Sequence, residues 1–170
     1  MLLYDQVKMC KVSPVDYLKC FLRHVEGETE QSTLIKIIGK VEYITNFLIM
    51  PDAQKEMSEQ IFSVLMKKIN GIESTSLRNL LLTQTIDFAT TPIQKTMLVG
   101  VLEAGKLPVL ADSFHTLTKT QRYMIIRQIW RSSDFTLEQK QAYLKAEMQI
   151  DYSDVDENQR IRCEACLSSD

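Results

Sequence analysis

The chain has 170 residues, 45% of them hydrophobic and 25% charged, with a net charge of −2. A chain of this size can bury a sizeable core, and its hydrophobic fraction excludes a disordered polymer. With 20 basic against 22 acidic residues it lacks the surplus that neutralises phosphates, so nucleic acid and anionic membrane surfaces are not expected partners.

Five glycines and four prolines favour helices joined by short turns. No run approaches the ~18 apolar residues of a membrane span. The opening MLLYDQVKMCKV is broken by Asp5 and Lys8 and has no small-residue cleavage site, so it does not read as a signal peptide. Ser13-Pro14 offers an N-cap and a first-turn proline for a helix carrying Tyr17, Leu18, Phe21, Leu22 and Val25, stopped by Gly27. A second helix starts at Ser32 or Thr33, carries Leu34, Ile37, Ile38, Val41, Ile44 and Leu48, and ends at Pro51. Spacing of three and four places these side chains on one face that must be buried. Asp52 is the predicted cap of a third helix, with Met57, Ile61, Val64 and Leu65, closed by Asn70-Gly71.

Ser74 to Thr91 reads as a fourth helix with Leu77, Leu80, Leu81 and Phe88 inward. Thr91-Pro92 opens a fifth, with apolar positions Ile93, Met97, Leu98, Val101 and Leu102, ending near Gly105. Lys106 to Thr118 contains Pro108 and little periodicity, and reads as the longest connection, with room for one short helical turn. A sixth helix is predicted over Lys119–Arg131 and a seventh over Leu137–Ile150 after a Thr136 cap. The eighth begins after Ser153 or Asp154 and runs toward Leu167.

Paired consecutively, these helices form hairpins whose starts lie about 40 residues apart, within the range of HEAT and armadillo repeats. The predicted fold is therefore all-α: stacked antiparallel helix pairs in a HEAT/armadillo-like superhelix of about eight helices. One helical-repeat-like domain is expected across residues 1–170. The last helix has no following element to cover it, whereas solenoid ends need a polar cap. The chain accordingly reads as a fragment of a larger protein.

Catalytic patterns are sparse. The two histidines, His24 and His115, do not form H-E-x-x-H. His24 falls at a helix end, where the dipole favours a cation, and His115 in the long connection. No G-x-S-x-G elbow or phosphate loop occurs. Cys163 and Cys166 form C-x-x-C inside a helical stretch, away from the helix N-termini that stabilise thiolates. With Cys10 and Cys20 they read as small, semi-buried residues of a reducing compartment, and a cytoplasmic location is expected. Glu26, Glu28 and Glu30 read as a solvated turn. Asp151, Asp154, Asp156 and Glu157 lack the central glycine and closing glutamate of a calcium loop and read as complements to a helix N-terminus. No catalytic, cofactor or metal residue is expected within the chain.

Arg122 and Arg160 fall near helix starts, where cations are unfavourable, so each needs a nearby carboxylate. Asp151 or Asp154, across adjacent helices, is the predicted partner. Tyr123 and Trp130 lie on nearly the same helix face and read as core.

The order of features in this region carries a resemblance. Arg122-Tyr123 opens one helix, and Ala146-Glu147-Met148-Gln149-Ile150-Asp151 closes the next. The turn Ser153-Asp154 follows, then Gln159-Arg160 and the small-residue run Cys163-Glu164-Ala165-Cys166. From roughly Gly100 onward this succession resembles the C-terminal helical domain of zinc aminopeptidases of the aminopeptidase N and puromycin-sensitive type. That family has an Arg-Trp pair, an E-L-x-x-D-like helix end, an Asp-containing turn and a basic residue starting the final helix. Tyr123 departs from its Trp, Met148 from its Leu, and Asn158 stands where a Gly is expected.

The resemblance implies a noncatalytic bowl of helix pairs that packs on the catalytic domain of the same polypeptide. That bowl would enclose a chamber for the peptide substrate and move between open and closed arrangements. Zinc would belong to the parent protein's catalytic domain, and Arg122, Tyr123, Asp151, Asp154 and Arg160 would match the family pattern in structural roles. The alternative is a free-standing HEAT-like adaptor that binds proteins along its concave surface.

Overall fold

A computed structural model describes residues 3–108, 114–150 and 154–166. Their regular elements are helices apart from one two-stranded sheet, which places the chain in the all-α class. The chain divides into two compact units, Met1–Thr90 and Thr91–Asp170.

The first unit contains α1 (Leu3–Lys8), α2 (Pro14–His24) with a 3-10 turn at Val25–Gly27, α3 (Gln31–Phe47), α4 (Pro51–Asn70) and α5 (Thr75–Ile86). Pro14 and Pro51 open α2 and α4, where a missing N–H costs nothing. Met50 is the cap residue of α4, and Asp52, the predicted cap, lies inside its first turn. The cap of α3 is Glu30 rather than Ser32 or Thr33, and its carboxylate accepts from the backbone amides of both. Two carboxylate oxygens satisfy two orphan donors, where a hydroxyl would satisfy one. Hydrogen bonds from Thr33 and Ser32 hold the Glu30 carboxyl down at about 2.

Ser74, the first residue of the predicted helix, caps α5 by accepting from Leu77 N, and the helix stops at Ile86 rather than running to Thr91. The sequence pattern does not announce α1, whose six residues are too few to show a period. It closes with Lys11 N donating to Gln6 O and Cys10 N to Val7 O, both at 2.9 Å. This is a Schellman turn, and Cys10, at φ 56°, fills the left-handed position that glycine usually occupies.

Leu18, Leu34, Ile38, Ile44, Ile61, Leu65, Ile69, Leu81 and Ile86 are fully enclosed in this unit. Each such burial contributes about 1.5–3 kcal/mol. Helices this short are marginal alone; packing of α4 against α5, α2 and α3 is what holds them.

The second unit contains α6 (Pro92–Ala104), β1 (Lys106–Pro108), β2 (Phe114–Thr116), α7 (Lys119–Arg131), α8 (Leu137–Ile150) and α9 (Asp154–Ala165). Reciprocal capping boxes start α6 (Thr91 with Gln94) and α7 (Thr118 with Gln121). Thr136 and Gln139 exchange the same two bonds at α8. Gly105, at φ 66°, closes α6 in the left-handed region.

Two expectations fail here. The segment predicted as a loop with a short helical turn instead pairs β1 with β2 antiparallel, Leu107 opposite His115. Leu107 and His115 are buried while Lys106 and Thr116 are exposed, the period of two that a half-buried strand requires. Pro108 reinforces this by biasing the residue before it toward extended backbone. On α6, Ile93 and Met97 are 82% and 43% exposed. The buried residues are Gln94, Leu98, Val99 and Val101, so Leu98 and Val101 face inward as expected while Ile93 and Met97 do not.

Helix α7 is the hub of this unit, contacted by α6, α8 and α9. It buries Tyr123, Met124, Ile125, Ile126, Ile129 and Trp130, an apolar surface wide enough to need neighbours on several sides.

Candidate functional site

The capping box at Thr118 sets the first turn of α7 and brings Lys119, Arg122 and Tyr123 onto one face, at spacings of three and four. The Arg122 Nε donates to both carboxylate oxygens of Glu147 on α8, at 2.7 and 2.9 Å, and its Nη1 donates to Leu117 O at 3.0 Å. The Tyr123 hydroxyl donates to Asp156 Oδ1 on α9 at 2.6 Å. Lys119 Nζ donates to the other oxygen of Asp156 at 2.8 Å. One face of α7 thus grips α8 through Arg122 and α9 through Tyr123 and Lys119.

Burial gives these contacts their weight. Asp156 is fully enclosed and Glu147 nearly so, while Lys119 and Arg122 retain partial access to water. A carboxylate taken out of water must be compensated by charge and hydrogen bonds, or it destabilises the fold. Burial, then the bond to Asp156, raises the Tyr123 phenol, so it stays protonated and serves as donor. Trp130 Nε1 donates to Lys140 O at 3.1 Å, a second tie between α7 and α8. Tyr123, Ile126, Trp130, Leu144 and Cys163 form the apolar cluster beside these bonds, which places Tyr123 and Trp130 in the core as predicted.

The other predicted residues are placed differently. Arg160 pairs within its own helix, with Glu157 at 2.5 Å and Glu164 at 2.7 Å. Neighbours three and four residues away on a helix are always within reach, so no cross-helix partner is needed. Arg122 does find a cross-helix carboxylate, but it is Glu147 rather than Asp151 or Asp154. Asp151 lies outside the described residues; Asp154 opens α9, and its side chain also lies outside them. Asp156 turns inward instead of serving the helix N-terminus. The signal that could have found it is its spacing from Cys163, two turns along α9: both are fully buried and share a face.

Cys163 is a buried free thiol, pushed up to about 12 by burial and the nearby Cys166. At neutral pH it is a small apolar side chain rather than a nucleophile. His24 is the last residue of α2, and His115 is buried in β2 rather than held in a loop. The glutamate run after α2 is a bonded turn. Glu26 pairs with Lys67 at 3.0 Å, Glu28 accepts from the amides of Thr29 and Glu30, and Lys68 donates to the backbone carbonyls of Glu26 and Glu28.

Among the described residues no three histidine, cysteine or acidic side chains converge as a metal set. No helix among them is long and apolar enough to cross a membrane. The first unit also holds an apolar cavity of about 280 Å³ lined by Tyr4, Tyr17, Phe21, Leu34 and Ile37, with His24, Glu28 and Lys40. Comparison with models of known protein families gives no match, and comparison with curated proteins gives none either.

Proposed function

We propose that this chain is a noncatalytic helical domain of a zinc aminopeptidase, packing on the catalytic domain and helping to enclose the peptide chamber. In this reading bond cleavage belongs to the parent's zinc site, and this chain excludes water and positions the substrate. One observation supports it above others. Arg122, which opens the resemblance, meets Glu147 from its second segment, and the adjoining Tyr123 bonds Asp156, a buried residue outside the quoted pattern. Two segments of the resemblance, at Arg122-Tyr123 and at Glu147, are thus joined across α7 and α8, which supports the reading.

The test compares this chain with the longer polypeptide encoded by its reading frame. The longer product should contain H-E-x-x-H and hydrolyse leucine 4-nitroanilide in a chelator-sensitive way, and the chain alone should not. Turnover by the purified chain, or a reading frame with no such segment upstream, overturns the proposal.

The second reading, a free-standing HEAT-like adaptor, is favoured by the exposure of Phe47 (71%) and Met50 (75%) in the first unit. Large exposed apolar side chains in proximity mark interaction surfaces.

A further inference from the structure

A groove of about 730 Å³ lies in the first unit between the turn after α1 and the end of α3. Val7, Val12, Pro14, Tyr43 and Leu48 form its apolar lining, Lys8 and Lys11 supply its charge, and among the described residues no carboxylate lines it. Phe47 leans on Tyr43 with ring centroids 5.2 Å apart, which extends the apolar surface past the groove toward Met50. Lys8 is held over the Tyr4 ring at 4.7 Å, and Lys40 lies 5.0 Å from the same ring, so positive charge gathers beside the groove. The Schellman turn at Cys10 fixes the backbone that carries Lys11.

These features select a partner chemistry. Exposed aromatic and methionine side chains are the types enriched at the centres of protein interfaces. The whole chain carries more acid than base, 22 residues against 20, so a lining with cations alone is a local departure and complements negative charge. Two lysines are too few for a polyanion track along a nucleic acid. The volume accepts several apolar side chains. We propose that this groove binds an acidic, amphipathic peptide segment of a partner protein. Its apolar residues enter beside Tyr43 and Phe47, and its carboxylates meet Lys8 and Lys11. This rests on the second reading, whose exposed Phe47 and Met50 it shares, and adds the partner's chemistry; tighter binding of the basic peptide would sink the proposal and leave that reading standing.

The test uses the full chain and two fluorescein-labelled amphipathic peptides that share leucine and phenylalanine positions, one flanked by glutamates and one by lysines. Anisotropy should show the acidic peptide binding about tenfold more tightly, the effect of roughly 1.4 kcal/mol, with affinity falling as salt rises. Lys8→Glu with Lys11→Glu should reverse the preference, and Phe47→Ser should weaken both peptides. All three side chains are exposed, so the fold should survive, which circular dichroism checks. Equal binding of the two peptides overturns the proposal. So does no measurable binding of the acidic one, binding only to phosphatidylglycerol vesicles, or self-association of the chain that Phe47→Ser abolishes.

Discussion

Replacing Tyr123 by phenylalanine removes one oxygen from a ring that is only 1% exposed. The ring keeps its packing against Ile126, Trp130 and Leu144. What is lost is the 2.6 Å bond to Asp156, a carboxylate with no access to water. Hydrogen bonds to charged groups contribute about 1.5–3 kcal/mol. Asp156 retains Lys119, so the cost should fall within that range rather than reach the full penalty of an unpaired buried charge. For a domain of about 60–100 residues, 1 kcal/mol corresponds to roughly 4–8 °C in Tm.

Trp130 makes the measurement specific. It is the single tryptophan of the chain and shares the Tyr123 cluster, so its fluorescence during urea denaturation reports the second unit. Tyr123→Phe should lower the urea midpoint with an unchanged slope. The same substitution in an Asp156→Ala background should then cost little, because the acceptor is already gone. An equal cost in both backgrounds would refute the reasoning, since it would assign the effect to packing. A loss below about 0.5 kcal/mol in the wild-type background would refute it too.

Three further outcomes follow from the same geometry. Arg122→Ala should destabilise the second unit by about 1.5–3 kcal/mol in the same urea assay, because Glu147 is buried without its guanidinium; Arg160→Ala, on an exposed intrahelical pair, should leave the midpoint nearly unchanged. Glu30→Ala should lower Tm most above pH 5. The folded carboxyl sits at about 2 against an ordinary 4.5, so the wild-type advantage is complete above the ordinary value and shrinks as pH falls through 2; a difference constant from pH 7 to 2 contradicts the cap. Iodoacetamide at pH 8 should alkylate exposed Cys10 quickly and leave Cys163 untouched until unfolding, because burial holds that thiol near 12; peptide mass mapping reads the order, and early labelling of Cys163 would count against its enclosure.

Helix existence was largely legible in the sequence because it depends on local signals. Lys119–Arg131 and Leu137–Ile150 occupy the predicted bounds, since each starts at a threonine cap; α8 turns Lys140 and Glu147 inward beside Leu144. Choices among competing local signals were harder. Between Glu26 and Thr33 several side chains could cap α3, and Lys67 and Lys68, brought by α4, engage Glu26 and the Glu28 carbonyl. That leaves Glu30 for the cap. The strand pair was missed because each strand has three residues, too few for a periodic pattern to outweigh a proline.

The site was legible by residue type and illegible by partner, and the difference has a physical origin. Lys119 and Arg122 in the first turns of α7 oppose the positive end of its dipole, so the need for carboxylates is written into that helix alone. Which carboxylates answer depends on how α8 and α9 dock, and that is decided mainly by apolar faces such as Leu144 and Cys163. Packing brings Glu147 and Asp156 to α7; the ion pairs then penalise any docking that leaves them buried without a counter-charge. Non-directional burial supplies most of the stabilisation, and the buried charges make one arrangement of the three helices preferable to its near alternatives. A residue such as Arg160, whose partners lie three and four positions away on its own helix, exerts no such choice, which is why two arginines alike in the sequence have unequal roles in the fold.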